Sequence, residues 1–365
     1  MTPNTHIEVA KVFDAWQAVF ACQVCQIPPK EWETLKWGFN IGALLTEALD
    51  RQKLFIESQY TGHVYQEEAP DRHTLALRCT HRPGQLPILA LLGKVSAASS
   101  EAARASAELY CREITSTFPF DYTIRPAASA LEFDRLSGKD ILAQCREPHA
   151  LAQIMRYEQQ QYTRKNLAYA IGFWQTTERA DEQIWRAVAG YPFPVALNVS
   201  LRPAFFSYQE RQALWNMTQV SPENPPLPPN ENGYQPYDQW IEPLINKRLH
   251  PYKKFYYTQV HLASPNGIAG TLSRPIGAAI TRETQDLLSP GFIVRTLADL
   301  SDARKWLSAL TWLEILPSMV NSTRIQRLSD IADLGETHSV FRFPLQLRPD
   351  ITQIKFECPP ATKEE

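Results

Sequence analysis

Four residues in the first quarter of the chain have the chemistry of zinc ligands. Cys22 and Cys25 form a C-x-x-C pair, and Cys79 and His81 are two positions apart in "RCTHR". Three thiolates and one imidazole make a tetrahedral zinc site, which is usually built from two short ligand pairs. A second C-x-x-C is absent, so we prefer the interpretation that these cysteines are reduced, buried thiols. We expect no metal and no other cofactor.

A basic and aromatic cluster in "NKRLHPYKKFYY" has the chemistry of a nucleic-acid interface. Its candidate residues are Lys247, Arg248, Tyr252, Lys253 and Lys254. Cationic side chains contact phosphates, and aromatic rings stack on bases. The alternative is a loop of solvated charges that leads into a strand whose aromatic residues face the core. The 37 basic and 39 acidic residues give a net charge of −2, which favours this alternative.

Large aromatic residues near the end of the sequence are candidates for a partner interface. Trp306 and Trp312 lie in one predicted helix, and Phe341 and Phe343 lie in the next. Exposed aromatic side chains anchor many protein interfaces. The simpler interpretation is that all four belong to the core.

The familiar nucleotide-binding and hydrolase motifs are absent from the sequence. A P-loop needs G-x-x-x-x-G-K-[ST], but the two Gly-Lys pairs, at 93–94 and 138–139, are followed by valine and aspartate. There is also no G-x-G-x-x-G, H-E-x-x-H or G-x-S-x-G. Isolated histidines such as His261 and His338 are interpreted as structural residues. We therefore expect no catalytic activity.

The central segments are predicted to form strand and helix pairs. "LPILALLGKVSA" predicts a buried strand, and the helix after it has Ser99 or Ser100 as its N-cap. "ALEFDRLSG" predicts a helix that ends at Gly138. "VALNVSLRP" alternates, with one set predicted inward and the other outward: Val195, Leu197, Val199 and Leu201 against Asn198, Ser200 and Arg202.

Two helices are predicted towards the end of the sequence. "SDARKWLSALTWLEIL" predicts an amphipathic helix with Ser301 as its N-cap. Asp333 and Glu336 have the spacing of a capping box, so the last helix should start there and stop at Pro344.

These elements predict an α+β fold, with strand–helix and split βαβ units forming two or three mixed sheets covered by helices. A chain of 365 residues is longer than one typical domain. We predict a first α+β unit over 86–220, a proline-rich loop or linker over 221–239, and a second α+β unit over 240–365. Residues 1–85 form an N-terminal segment that the sequence leaves ambiguous between helix and strand.

The cytoplasm is the expected location. The uncharged run over 15–29 is shorter than the roughly 20 apolar residues that span a bilayer. The sequence also lacks the basic start, apolar run and cleavage site of a signal peptide.

The order of three phrases resembles the region that precedes the motor in bacterial ATP-binding proteins of the HerA/FtsK type, including conjugation-associated ATPases. The phrases are "LNVSLRPAFFSYQERQAL", "FYYTQVHLAS" and "ALTWLEILPSMVNSTRIQRLSDIADLGETHSVFRFP". In that family a strand–helix region leads to a phrase similar to 336–344 and then to the P-loop domain. The resemblance covers about 86–344, and the motor half has no counterpart in this chain.

The resemblance implies an accessory role. We expect a non-catalytic assembly or adaptor subunit that forms an oligomeric assembly with a separately encoded P-loop ATPase, in DNA handling, conjugation-like transfer or phage defence. A second hypothesis is a nucleic-acid-binding module that uses the cluster at 247–257. A third is an enzyme whose site is assembled from scattered residues, or from the cysteine and histidine candidates.

Overall fold

The fold is known from a computed structural model, which describes residues 5–12, 14–26, 41–62, 73–156, 158–162, 167–171, 174–176, 180–212, 253–281, 291–296, 300–316, 330–345 and 354–358. The strands in these ranges are β1 (Ile7–Val12), β2 (Ala15–Gln26), β3 (Thr74–His81), β4 (Ile88–Ala97), β5 (Tyr122–Pro126), β6 (Leu151–Arg156), β7 (Glu158–Tyr162), β8 (Leu167–Ile171), β9 (Val195–Ala204), β10 (Phe255–Ala263), β11 (Phe292–Thr296) and β12 (Ile331–Asp333). The helices are α1 (Ile41–Ser58), α2 (Ser100–Thr117), α3 (Ala130–Ser137), α4 (Lys139–Gln144), α5 (Ala180–Ala189), α6 (Gly270–Ile280), α7 (Leu300–Thr311) and α8 (Leu334–Val340). No helix in these ranges combines the length and the apolar character needed to cross a membrane.

One large sheet organises the described chain. Its strand order is β1-β2-β4-β3-β9-β10-β6-β11, with β5 beside β2 and β12 beside β10. β1 and β5 occupy successive stretches of the same edge of β2, and β12 and β6 do the same along β10. β7 and β8 form a separate two-stranded ribbon.

The sheet consists of two copies of one topology. The first copy runs β2-α1-β3-β4-α2-β5 along the chain, and its sheet order is β5-β2-β4-β3. The second runs β6-α5-β9-β10-α6-β11, and its sheet order is β11-β6-β10-β9. Each is therefore a βαββαβ unit in which the first strand pairs with the third and fourth, the ferredoxin-like form of the split βαβ motif. The second strands of the two copies, β3 and β9, pair and make the sheet continuous.

The predicted α+β class with split βαβ units is confirmed, but the sheets are not mixed. Every strand pairing in the described ranges is antiparallel. The reason lies in the motif: β3 runs parallel to β2, but β4 is inserted between them and is antiparallel to both. A parallel relationship therefore exists only between strands that do not touch.

The main hydrophobic core lies between one face of the sheet and five helices. Side chains such as Phe20, Leu91 and Val199 point to this face, where Ala107 of α2 and Ile276 of α6 pack against them. α1, α5 and α8 contribute to the same core. Alternate residues of every central strand are thus removed from water on this side.

The opposite face of the sheet is also covered. α3 packs there against a patch of small residues that includes Ala76 and Ala90, and α4 and α7 pack against a second patch that includes Ala196 and Ala263. The prediction that Asn198 and Ser200 face solvent is therefore wrong, since their exposed fractions are 2% and 3%. Alternation along a strand identifies two faces, but it does not reveal that helices from distant parts of the chain cover the polar one.

Most of the helix ends follow their sequence signals. The Ser99 side chain accepts from the backbone N–H of Ala102, and Gly138 ends α3 in the left-handed region at φ 65°. Asp333 and Glu336 form the predicted capping box. α8 ends at Val340, before the predicted stop, and α7 begins at Leu300, so Ser301 lies inside the helix and is not its N-cap.

The N-terminal segment turns out to be part of the sheet. Residues 1–85 supply β1, β2, α1 and β3, and the pattern that the sequence left ambiguous is a hairpin of β1 and β2.

The predicted linker at 221–239 lies outside the described residues. Strand pairing joins the two predicted α+β units, because β9 of the first pairs with β10 of the second, and β9 also pairs with β3 of the N-terminal segment.

Candidate functional site

Polar residues gather on the side of the sheet that α3, α4 and α7 cover. We call this set the polar face, and it consists of Gln17 of β2, Arg78 of β3, Lys94 of β4, Asn198, Ser200 and Arg202 of β9, and Tyr257, Gln259 and His261 of β10. They alternate with the side chains that enter the main core, so one surface collects them from five neighbouring strands. This face of the sheet therefore carries many buried polar side chains, whereas the face towards the main core is apolar.

Arg78 is the most buried cation of the polar face, with an exposed fraction of 1%. Its Nε donates to Asn198 Oδ1 at 2.9 Å, and its two terminal nitrogens donate to the carbonyl oxygens of Ser137 and Leu310, each at 2.6 Å. All three acceptors are neutral. Burial lowers the pKa of the guanidinium to about 9, because no carboxylate offsets the loss of hydration.

Lys94 lies beside the carboxylate of Glu314. Its Nζ is 2.8 Å from Glu314 Oε1, and Gln17 Nε2 donates to the same oxygen. Burial lowers the pKa of Lys94, Glu314 opposes that effect, and the nearby charge of Arg202 adds to it. Lys94 and Arg202 therefore share one electrostatic environment.

His261 lies on the polar face in β10, a strand of the second βαββαβ copy. Its ring centroid is 4.8 Å from that of Trp306, and its exposed fraction is 5%. Neither ring nitrogen has a hydrogen-bond partner among the described residues. Burial lowers the pKa of His261 to about 3, and the charge of Arg78 lowers it further, so the ring is neutral at physiological pH.

Residues 300–316, which are α7 and the turn after it, cross the polar face. We call this segment the strap. Trp306 covers His261, the Leu310 carbonyl accepts from Arg78, Glu314 pairs with Lys94, and the Leu316 carbonyl accepts from Gln259.

The turn of the strap is held in an unfavourable backbone conformation. Leu313 has φ 51°, and the Glu314 N–H donates to the Ala309 carbonyl at 2.8 Å, as in a Schellman helix end. Glycine normally takes that position, since a residue with a Cβ costs about 1–2 kcal/mol there. The Leu313 side chain offsets this cost by burial in the small-residue patch that contains Ala76 and Ala90.

This arrangement has the chemistry of an anion-binding surface. Two buried cations, Arg78 and Lys94, and the partly buried Arg202 lie on adjacent strands in a water-poor environment. A planar guanidinium fork and an ammonium group both suit phosphate oxygens. In this structure, carbonyl oxygens and the Glu314 carboxylate occupy the positions next to the two buried cations.

The predicted basic cluster is largely used in ion pairs where the structure describes it. Lys253 Nζ lies 2.6 Å from Asp333 Oδ2, and Lys254 Nζ lies 2.8 Å from Glu57 Oε1. The aromatic residues that follow them in β10 are buried. The remaining candidates Lys247, Arg248 and Tyr252 lie outside the described residues.

The four aromatic candidates for a partner interface belong mostly to the core. Phe341 and Phe343 have no exposed surface, and Trp306 of the strap is buried against His261. Trp312 is half-buried and packs against the small-residue patch. The interpretation of these residues as core therefore agrees with their burial.

The four zinc candidates do not converge. Cys22 lies in β2 and Cys79 in β3, with β4 between them. The Cys22 sulfur is 3.8 Å from that of Cys111, and Cys25 forms a disulfide with Cys358. No cluster of three or more possible metal ligands occurs among the described residues.

The expectation that all cysteines are reduced is wrong for one pair. Cys25 at the end of β2 and Cys358 in the last described segment are joined, with their Cα atoms 5.8 Å apart. Gln23 Nε2 also donates to the Glu357 carbonyl at 2.7 Å, and the Glu357 N–H donates to the Pro87 carbonyl at 2.9 Å. The sequence separation of 333 residues hides this contact from any local pattern.

A buried ion pair fixes the phrase at 336–344, which carries part of the family resemblance. Arg156 Nη1 is 2.8 Å from Glu336 Oε1, and both side chains are almost fully buried. The Trp174 N–H donates to the same oxygen, and Arg156 Nη2 donates to the Ile331 carbonyl at 2.6 Å. Glu336 thus connects α8 to β6 in addition to capping its own helix.

The Gly93-Lys94 pair has a structural role. Gly93 lies in β4, where a Cβ would be 2.1 Å from the ring of Phe20. Lys94 points to the other side and meets Glu314. The pair lies inside a strand, whereas the Gly-Lys of a P-loop lies between a strand and a helix.

The residues of the polar face were not identified as a site from the sequence. A signal was present: Arg78 and Lys94 interrupt otherwise apolar strands, as do Asn198 and His261. Because their strands are separated by up to 180 residues, only the pairing of β3 with β9 and of β9 with β10 brings them together.

Comparison with known proteins adds no relative. The chain matches no protein-family model and no curated protein sequence.

Proposed function

We propose that this chain is a non-catalytic assembly or adaptor subunit that works with a separate P-loop ATPase of the HerA/FtsK type. Its role would be to dock the motor or to select its cargo in DNA handling, conjugation-like transfer or phage defence. ATP binding and hydrolysis would belong to the partner. The resemblance in the order of phrases over 86–344 is the origin of this proposal.

One structural observation supports the proposal most directly. The described parts of the phrases that carry the resemblance lie in neighbouring elements: β9, β10, β12 and α8 are in contact, and the strap lies beside them. Thr258 of β10 bonds to Thr337 of α8 at 3.2 Å, and Gln259 bonds to Asp330 at 3.0 Å. A conserved order of phrases in a family makes physical sense when those phrases form one packed unit.

The phrase at 336–344 is built to hold the chain firmly at this point. The Tyr122 hydroxyl donates to the Pro344 carbonyl at 2.9 Å, and Gln52 bonds to both backbone groups of Phe343. In the family that this chain resembles, such a phrase leads into the motor domain. A rigid anchor at that position suits a subunit that transmits force or fixes orientation.

The test is to express the tagged chain together with the genes that flank it and to purify it under mild conditions. We expect a P-loop ATPase to co-elute in size-exclusion chromatography as an oligomeric complex of constant composition. A second preparation with the Walker A lysine of that ATPase replaced by alanine shows whether assembly depends on nucleotide. Recovery of the chain as a monomer, with no ATPase bound in either preparation, would contradict the proposal.

A further inference from the structure

We propose that the polar face is a phosphate-binding surface for single-stranded nucleic acid and that the strap is its built-in cover. This inference goes beyond the motor partnership and does not depend on it. It concerns a surface different from the basic cluster at 247–257.

The charge of the polar face is the first argument. Lys94, Arg78 and Arg202 come from the adjacent strands β4, β3 and β9, and they project to the same side of the sheet. A nucleic-acid backbone presents regularly spaced phosphates. Lys94 lies opposite Thr74, four positions along β3 from Arg78, so the cations are spread over the surface and suit separate phosphates of such a chain. Among the described residues, Arg78 is buried without a carboxylate partner, which is costly unless another interaction is gained.

The aromatic side chains of the same surface are the second argument. Tyr257 lies on the polar face, with the Arg202 guanidinium carbon 4.9 Å from its ring centroid. His261 lies further along β10 on the same side, and neither of its ring nitrogens has a partner among the described residues. Flat rings beside cations are the combination that binds bases together with phosphates.

The contacts of the strap are the third argument, because they resemble those of an anionic ligand. The Glu314 carboxylate is 2.8 Å from Lys94, and the Leu310 carbonyl is 2.6 Å from Arg78. Trp306 packs against the His261 ring at an interplanar angle of 43°, with the ring centroids 4.8 Å apart, so an aromatic ring already occupies this part of the surface. The strap thus supplies one negative group, two neutral acceptors and one aromatic ring to this surface.

Of the elements that cover the polar face, the strap is the one that would move away from the sheet on binding. Its turn depends on Leu313, whose positive φ is unfavourable for a residue with a Cβ. A nucleic acid would replace Glu314 with a phosphate oxygen at Lys94 and the Leu310 carbonyl with another at Arg78. Binding would then compete directly with closure of the strap.

The experiment measures binding of a fluorescein-labelled oligothymidylate of about 20 nucleotides by fluorescence anisotropy. The full-length protein is compared with the double variant Trp306→Ala/Glu314→Gln, which weakens the strap without touching the cations. We expect the double variant to bind at least about ten-fold more tightly than the parent at low salt. Circular dichroism confirms that each variant remains folded.

Two additional variants make the result specific. Lys94→Met added to the double variant should reverse the gain and reduce the slope of log K against log salt by about one. Val188→Ala, which loosens the core on the opposite face, serves as the control for general destabilisation. It should bind like the parent.

The proposal is overturned if the strap variant binds no better than the parent, if Val188→Ala improves binding equally, or if Lys94→Met leaves the gain intact. An assay of motor partnership gives an independent answer. The two proposals can therefore fail separately.

Discussion

Acidification to pH 5 should destabilise the fold through His261. This ring is buried, neutral and without hydrogen-bond partners at either nitrogen among the described residues. Its folded-state pKa is lowered to about 3, against 6.5 for an ordinary histidine. Because the unfolded chain binds the proton more readily, stability is complete above pH 6.5 and is lost as the pH falls from there towards 3.

The size of the effect follows from the two pKa values. Each pH unit below 6.5 costs about 1.4 kcal/mol as long as the folded ring remains neutral. At pH 5 the loss from His261 alone is therefore about 2 kcal/mol. His338, whose pKa is also lowered to about 3 by burial, with Arg342 and Lys53 adding to the effect, changes stability in the same direction.

The assay is urea denaturation at pH 7.5 and pH 5.0, monitored by tryptophan fluorescence. The variant His261→Phe keeps an aromatic ring against Trp306 but cannot be protonated. We expect its loss of stability between the two pH values to be about 2 kcal/mol smaller than that of the parent. Equal pH dependence in His261→Phe and the parent would refute the assigned environment of this ring.

Three other outcomes follow from the packing and the covalent structure. Gly93→Ala should lower the free energy of unfolding by about 1–3 kcal/mol in chemical denaturation, because the new Cβ collides with the Phe20 ring, and Phe20→Leu should partly rescue it. Glu336→Gln should cost about 3–5 kcal/mol, since it removes the carboxylate that pairs with the buried Arg156, and an unchanged midpoint would contradict the pair. Titration of the denatured, unreduced protein with a thiol reagent should find four reactive thiols, and six would exclude the disulfide between β2 and the C-terminal segment.

Local features of the fold could be predicted from the sequence because their causes are local. Ser99, Gly138 and the Asp333–Glu336 pair act on backbone groups within a few positions of themselves. The strand with Val195 and Val199 on one side was likewise predictable from its alternation.

Features that depend on distant segments could not be predicted. The N-terminal hairpin was ambiguous because its aromatic and β-branched residues suit a strand or a buried helix equally well. Asn198 was assigned to solvent because nothing near it reveals that the strap, about 100 residues later, lies over its face.

The candidate site shows the same limit. Basic residues that are adjacent in sequence, such as Lys253 and Lys254, attracted attention as a cluster but each pairs with a carboxylate. In the sequence, Arg78 and Lys94 look like ordinary strand residues. Only the pairing of β3 with β4 and the contacts of the strap show that they lie on one surface. A cluster of residues that come from distant strands leaves no recognisable pattern in a single sequence.

The most direct test of the proposed role is ATP turnover by the purified chain alone and in complex with the ATPase recovered beside it. The account predicts no hydrolysis above background for the isolated chain, and activity in the complex that disappears when the Walker A lysine of the partner is replaced. Hydrolysis of ATP by the isolated chain, or by the complex with that lysine replaced, would contradict it.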